Sequence, residues 1–494
     1  MDGIFERAKG QVWLAGACAP ARGGTAEVIS PATEEVVGIA GQASEEDLDE
    51  AVARAREVHE KRIWASLPSL ERGRILSGAA RAIREWEKEF QAVISAENGM
   101  PPSAARFIEV PMAADAFDYY AGLASSPIGE VVPFNLPGAT TEYLTLTLKE
   151  PVGVAGLITP WNFPLLMPTW KVAAALAAGC PVILKPAPET PFTAFLLAEA
   201  LAKAGLPEGA LSVLPGGDGL GEAVVNHPGI PKVALTGGLA TGRLAAVVAA
   251  RAQKRLSLEL GGKSPLILFS DVDVEAAVSA ALFGVFLNAG QVCQASSRVL
   301  VQADLYEPFT GRLAERAKAM RVGPPADDLA DIGPVITRER LDAIDGMVDE
   351  ARRSGAHIHT GGHPLPGPGF FYPPTVVSEV DPESALAQEE VFGPVVTVLP
   401  FTTEEDAVAL ANGTVYGLTA SVWTQDIKRS LRVVRRLAAG TVWVNAVQVL
   451  SPTAPFGGYK ASGTGRDLGR EGLAQFQETK TVIVDLNEWP MAFF

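Results

Sequence analysis

Cys293 is the residue of this 494-residue chain best suited to act as a nucleophile. It stands in Asn288-Ala289-Gly290-Gln291-Val292-Cys293-Gln294, at the end of a long apolar helical run. The glycine and the amides beside it permit a turn and close backbone approach to a ligand. A thiol reacts as the thiolate, and a lone cysteine more often packs as a small hydrophobe; from these residues alone both readings stand. Cys18 and Cys180 lack such a setting and read as packing residues.

Glu259 lies in Leu256-Ser257-Leu258-Glu259-Leu260-Gly261-Gly262-Lys263. The alternation fits a solvated strand face. The glycine pair that ends the strand equally fits a carboxylate at a strand end, where catalytic groups collect in α/β sheets. Asn162 sits between two prolines in Thr159-Pro160-Trp161-Asn162-Phe163-Pro164, so its amide is held on a fixed backbone. Thr236-Gly237-Gly238-Leu239-Ala240-Thr241-Gly242 joins a strand to a helix, where a pyrophosphate can meet free N–H groups and the positive helix end. No full G-x-G-x-x-G accompanies it. His357, His359 and His363 lie close in sequence, but no nearby carboxylate or cysteine completes a ligand set, so no metal is expected. Lys460, Arg466, Arg470 and Lys480 are spread out and read as a solvated face.

The elements that must hold these groups follow from the apolar pattern. From residue 152, strands at 152–158, 181–185, 211–214, 232–235 and 255–260 alternate with helices at 167–178, 193–204, 220–226 and 241–253. That order means βαβ units and a parallel, doubly wound sheet, with ligands bound beyond the carboxyl ends of the strands. A second α/β region runs from about 271 to 445, with helices at 273–286, 306–320, 403–411 and 426–437 and strands at 297–302, 394–400, 418–424 and 440–445. The segment 140–148 alternates strictly and reads as a half-exposed strand outside the parallel core.

Apolar residues form 48% and charged residues 20% of the chain, the balance of a packed soluble protein, and its length implies two or three domains. A net charge of −16 without a Lys/Arg cluster argues against a nucleic-acid or membrane partner. No run approaches the roughly 20 apolar residues of a membrane span. Acidic Asp2 and Glu6 before a short apolar run do not suit a signal peptide, so a cytoplasmic protein is expected. Three cysteines suit neither a disulfide framework nor a zinc site.

Taken together the segments closely resemble the aldehyde dehydrogenase superfamily, in its hydrolytic NAD(P)-dependent form, over nearly the whole chain. Besides the three motifs around Asn162, Glu259 and Cys293, the resemblance rests on Glu389-Glu390-Val391-Phe392-Gly393-Pro394 and on Pro455-Phe456-Gly457-Gly458-Tyr459-Lys460-Ala461-Ser462-Gly463. It implies that Cys293 is the nucleophile, that Asn162 and the Cys293 N–H form an oxyanion hole, and that Glu259 activates water. It implies that Lys185 binds the adenosine ribose, that Gly237 and Gly238 lie near the pyrophosphate, and that Glu390 and Phe392 meet the nicotinamide end. Thr159, Pro160, Trp161 and Leu260 complete the implied cofactor site, and Phe163, Trp170 and Phe456 match positions lining an aldehyde tunnel. The implied fold is a Rossmann-like cofactor domain (1–125 and 149–260), a second α/β catalytic domain (261–468) and small antiparallel bridging segments (126–148 and 469–494). The bridging segments imply a homodimer or homotetramer, and the apolar tail 489–494 is expected to dock on a neighbouring subunit or near its substrate entrance.

Two departures bear on the cofactor. Pro188 stands where the family often has a Glu that binds the adenosine ribose and repels a 2′-phosphate, which leaves NAD and NADP both open; Glu189, one position late, is expected to point elsewhere. Gly238 replaces a usual Ser, removing one hydroxyl donor. The uncharged loop 446–450 and the aromatic positions suggest a neutral, apolar or aromatic aldehyde. The alternatives are a CoA-acylating or otherwise non-hydrolytic relative, which the presence of Glu259 disfavours, and a non-catalytic binding or structural protein keeping the fold.

Overall fold

The computed structural model describes residues 2–125, 129–134, 143–327 and 329–486. Its larger sheet runs in the order Gly463–Thr464, Arg255–Glu259, Lys232–Thr236, Ala155–Ile158, Val182–Lys185, Leu211–Val213, Gln11–Leu14, Ala17–Pro20. The five middle strands from Arg255–Glu259 to Leu211–Val213 are parallel. They are buried almost throughout, as expected of parallel strands covered by helices on both faces. From Ala155–Ile158 the chain winds first to one side and then, at Lys232–Thr236, to the other. The strand order therefore reverses between these two strands, and a crevice opens beyond their carboxyl ends.

The second sheet runs in the order His357–Thr360, Thr375–Ser378, Val395–Phe401, Arg298–Gln302, Pro265–Leu268, Thr419–Trp423, Thr441–Val444, all parallel except its first pair. A third, antiparallel sheet joins Gly129–Val132 and Gln477–Asp485 to opposite edges of Tyr143–Pro151. Residues 140–142 of the expected strand and the whole tail 489–494 lie outside the described residues.

Several elements differ from the sequence expectation. Pairing in the first parallel strand starts at Ala155, because Val152-Gly153 turns the chain in from the third sheet, with Gly153 at φ +116°. The strands Pro265–Leu268 and Thr375–Ser378 and the helix Arg338–Arg353 were not expected from the pattern. That helix is highly charged and buries only Leu341, Ile344, Val348 and Ala351 along one narrow stripe. Ahead of the parallel core, the helices Glu45–Glu60, Ser69–Glu85, Glu87–Asn98 and Val110–Ala124 were likewise unassigned. Glu97 in Glu87–Asn98, and Glu109 at the turn that leads into Val110–Ala124, carry buried carboxylates to the N-termini of core helices. Glu97 accepts from Phe192 and Thr193 N–H at 2.9 and 3.0 Å, and Glu109 from Leu166 N–H at 2.9 Å.

Candidate active site

A cleft of about 290 Å³ opens at the reversal point of the larger sheet. Cys293, Asn162 and Glu259, which come from three separate segments, all line it.

The Cys293 wall is made by ending a helix abruptly. Val274–Phe286 stops, and Asn288, Ala289 and Gly290 follow with φ of +48°, +55° and +72°. A left-handed alanine costs about 1–2 kcal/mol, a strain of the kind stored at functional sites. Only glycine fits at 290: a Cβ there would lie 2.0 Å from the Gly393 carbonyl oxygen. The turn thus presses the cysteine segment against the segment carrying Glu390 and Phe392. Asn162 Nδ2 donates to the Gln291 carbonyl at 2.9 Å, and Asn288 Nδ2 donates to the Asn162 carbonyl at 2.8 Å. The first bond holds the Asn162 side-chain amide, and the second its backbone, to the segment that carries the thiol. Burial pushes the Cys293 thiol up to about 12, with the charges of Glu390 and Glu259 adding to the shift and the backbone N–H groups of Gln294 and Cys293 opposing it.

Glu259 ends its strand against Gly463–Thr464 and is buried. Neither carboxyl oxygen has a hydrogen-bond partner. Burial, then the negative charge of Asp467, holds this carboxyl well above the usual carboxylate range, while Lys171 and Arg466 pull it down. Gly457 leaves the room it occupies; a Cβ there would stand 2.6 Å from Glu259 Oε1. A buried carboxyl with free oxygens and a raised pKa is suited to hold and release a proton.

At one end of the cleft, Gly238 leads directly into the helix Leu239–Arg251, which has no side-chain cap. Glu390 Oε1 accepts from Gly262 N–H at 2.9 Å, and burial raises this carboxyl to about 7 against the pull of that N–H, Arg340 and Lys263. Phe392, at φ +52°, meets Trp161 edge-to-face at 5.4 Å. Pro160, Gly237 and Leu260 line the same region. Thr159 and Lys185 are buried and do not line it, and Lys185 Nζ donates to the Pro186 carbonyl at 3.3 Å. Pro188 is exposed. Glu189 is half-buried, and its charge, with that of Asp218, acts on the Lys185 ammonium.

At the other end, Trp170 and Phe456 meet edge-to-face at 5.6 Å beside Met167. Phe163, expected here, is buried in the same hydrophobic core as these two but does not line the cleft. Sequence reasoning missed Asp467, which lines the cleft and is paired with buried Lys171 at 2.5 Å. A lone lysine on the otherwise apolar helix Leu166–Ala178 was the available signal. Arg466 is likewise no solvated residue: its Nη1 donates to the Gly458 and Gly465 carbonyls at 3.1 and 2.6 Å, bracing the loop that carries Phe456 and Gly457. Among the described residues no three metal-ligating side chains converge, and His359 is engaged with Ser378 Oγ at 2.7 Å.

Residues 19–482 match the aldehyde dehydrogenase family. The chain belongs to that family. Human retinal dehydrogenase 2 is 40% identical over 93% of this chain and 88% of its own length. The betaine aldehyde dehydrogenase of Cereibacter sphaeroides strain KD131 is 40% identical over 93% of each chain. An NAD⁺ complex of an aldehyde dehydrogenase from Bacillus cereus superimposes with a TM-score of 0.95 at 38% identity, covering 98% of both chains. This aldehyde dehydrogenase is an NAD(P)-dependent oxidoreductase, and its cleft has groups that suit a dinucleotide: free N–H groups at the uncapped helix after Gly238, and the carboxyl of Glu390.

Proposed function

We propose that this enzyme oxidises a neutral, apolar or aromatic aldehyde to the carboxylic acid, with Cys293 as nucleophile and Glu259 as the base that activates water. The convergence of Cys293, Asn162 and Glu259 on one cleft carries the reading. The Cys293 thiolate adds to the carbonyl carbon, and the alkoxide so formed takes hydrogen bonds from Asn162 Nδ2–H and the Cys293 N–H. Bound nicotinamide supplies the hydride acceptor. The acyl thioester left on Cys293 is then hydrolysed by a water whose proton passes to Glu259. Lys185, Thr159, Pro160, Trp161, Gly237, Gly238, Leu260, Glu390 and Phe392 hold the dinucleotide.

Met167, Trp170 and Phe456 offer the aldehyde an apolar, aromatic wall, which supports a neutral substrate. The NAD⁺ complex of the Bacillus cereus relative supports NAD⁺ over NADP⁺. The domain division is that of the sequence reading, with cofactor domain 1–125 and 149–260, catalytic domain 261–468, and bridging segments 126–148 and 469–494. The nine-residue strand Gln477–Asp485, at the edge of its sheet, supports a homodimer or homotetramer. Three free thiols suit a reducing, cytoplasmic setting.

Absorbance of reduced nicotinamide, followed with NAD⁺ or NADP⁺ and a panel including hexanal, benzaldehyde and charged semialdehydes, tests this reading. Expected are free acid as product, hexanal or benzaldehyde ahead of the charged aldehydes, and NAD⁺ ahead of NADP⁺. A Cys293→Ala variant equal to wild type across the panel overturns the mechanism, and a clear preference for a charged semialdehyde overturns the substrate class.

A further inference from the structure

The loop Pro160-Trp161-Asn162 carries the amide assigned to the alkoxide, yet its own main chain is weakly tied. It lies between the strand Ala155–Ile158 and the helix Leu166–Ala178, and Pro160 has no N–H to donate. Among the described residues none of the three makes a hydrogen bond from main chain to main chain. Asn162 is buried, so the peptide groups of this loop need partners from elsewhere.

Two side-chain amides supply them. Asn288 Nδ2 donates to the Asn162 carbonyl, and Asn98 Nδ2 donates to the preceding carbonyl, that of Trp161, at 2.8 Å. Neither the sequence motifs nor the chemistry above uses Asn98. It is the last residue of the helix Glu87–Asn98 and is fully buried, with no partner for its Oδ1. A buried amide with an unpaired oxygen is a costly side chain for packing alone. What an apolar residue of similar size would lack is the donor to Trp161.

The place of Asn98 is fixed from behind. Gly99 ends the helix at φ +81°, and a Cβ on it would stand 2.6 Å from Pro334 Cγ. The Pro334 carbonyl accepts from Gln291 Nε2 at 3.4 Å, and Gln291 Oε1 accepts from Ile336 N–H at 2.8 Å. The Gln291 carbonyl accepts from Asn162 Nδ2. These contacts close a ring that runs from Asn98 through Trp161 and Asn162 to Gln291, then through Pro334 back to Gly99.

We propose that Asn98 is a positioning residue for the oxyanion hole: through the Trp161 carbonyl it holds the Asn162 amide where the alkoxide forms. The assignment rests on the reading above, in which Asn162 donates to that alkoxide. Asn98 does not line the cleft and acts only through the loop. A preorganised donor is effective because it need not move as charge develops. A displacement of about 1 Å in such a group can cost about 10²-fold in rate.

A double-mutant cycle in kcat, at saturating NAD⁺ and aldehyde, tests the proposal. Asn98→Ala and Asn98→Leu both remove the donor, the second keeping the volume, and circular dichroism and thermal unfolding check that each folds. Each is expected to lower kcat by about 10–10²-fold in the wild-type background. In the Asn162→Ala background, with no amide left to position, the same changes should cost no more than about twofold. Asn288→Gly, which keeps the left-handed backbone but lacks the amide, should show the same non-additivity. Losses of equal factor in both backgrounds, or no loss from either Asn98 variant, overturn the proposal and leave the oxyanion assignment standing. An Asn162→Ala variant as fast as wild type strikes that assignment, and the proposal with it.

Discussion

Burial and two carboxylates raise the Cys293 thiol, and burial with Asp467 raises Glu259, so both groups the chemistry needs deprotonated hold their protons tightly. The sign of the pH dependence follows. The base form of Glu259 grows only as pH rises through its elevated pKa, so thioester hydrolysis should accelerate from neutral to alkaline pH and fall away on the acid side. A pH–rate profile of steady-state turnover checks this. Glu259→Gln should flatten that limb and convert turnover into a burst of about one reduced nicotinamide per site followed by a slow phase. Asn162→Ala removes an oxyanion donor already positioned by Gln291 and Asn288, and should lower kcat by about 10²–10³ with little change in fold. Equal kcat for Asn162→Ala and wild type would remove the oxyanion assignment.

The elements around the site include two buried carboxyls that the chemistry does not use. Burial holds Glu97 at about 7 and Glu109 at about 8, against an ordinary value of 4.5. The folded protein therefore keeps protons that the unfolded chain releases. The stability linked to them is complete below about 4.5 and is lost as pH climbs through about 7 to 8. Glu109→Gln should make thermal unfolding less sensitive to pH across that interval. Glu109→Ala, leaving the Leu166 N–H without its partner, should destabilise by about 1–3 kcal/mol in denaturant unfolding. The strands around the cleft were legible because parallel strands buried on both faces read as continuous apolar runs, and Val182–Lys185 and Lys232–Thr236 lie within a residue of their expected ends. The helix Arg338–Arg353 was not legible, since its buried stripe is thin beneath a charged surface. Arg340 and Asp467 escaped for a related reason: each joins the cleft through tertiary contact, with no local pattern to mark it.

At the scale of the whole molecule, the two parallel sheets contribute opposite walls of one cleft, and the third sheet stands apart from it. The strand Gln477–Asp485 pairs along its full length with Tyr143–Pro151, and among the described residues no further strand joins that sheet beyond it, with Ile483 and Val484 exposed at 53% and 39%. An edge strand of this length invites pairing with another chain. A double Ile483→Lys, Val484→Lys variant should show a smaller mass than wild type by light scattering after gel filtration. An unchanged mass would move the interface elsewhere. Among the described residues no helix is long and apolar enough to cross a membrane.

The central claim is that an acyl group forms on Cys293 and leaves through Glu259. Acid-quenching Glu259→Gln after mixing with NAD⁺ and hexanal, then weighing the intact protein and its peptides, tests it most directly. The account predicts one hexanoyl increment per chain, confined to the peptide bearing Cys293 and absent from the Cys293→Ala, Glu259→Gln double variant. Reduced nicotinamide formed with no acyl increment on Cys293, or the increment found on Cys18 or Cys180, would contradict it.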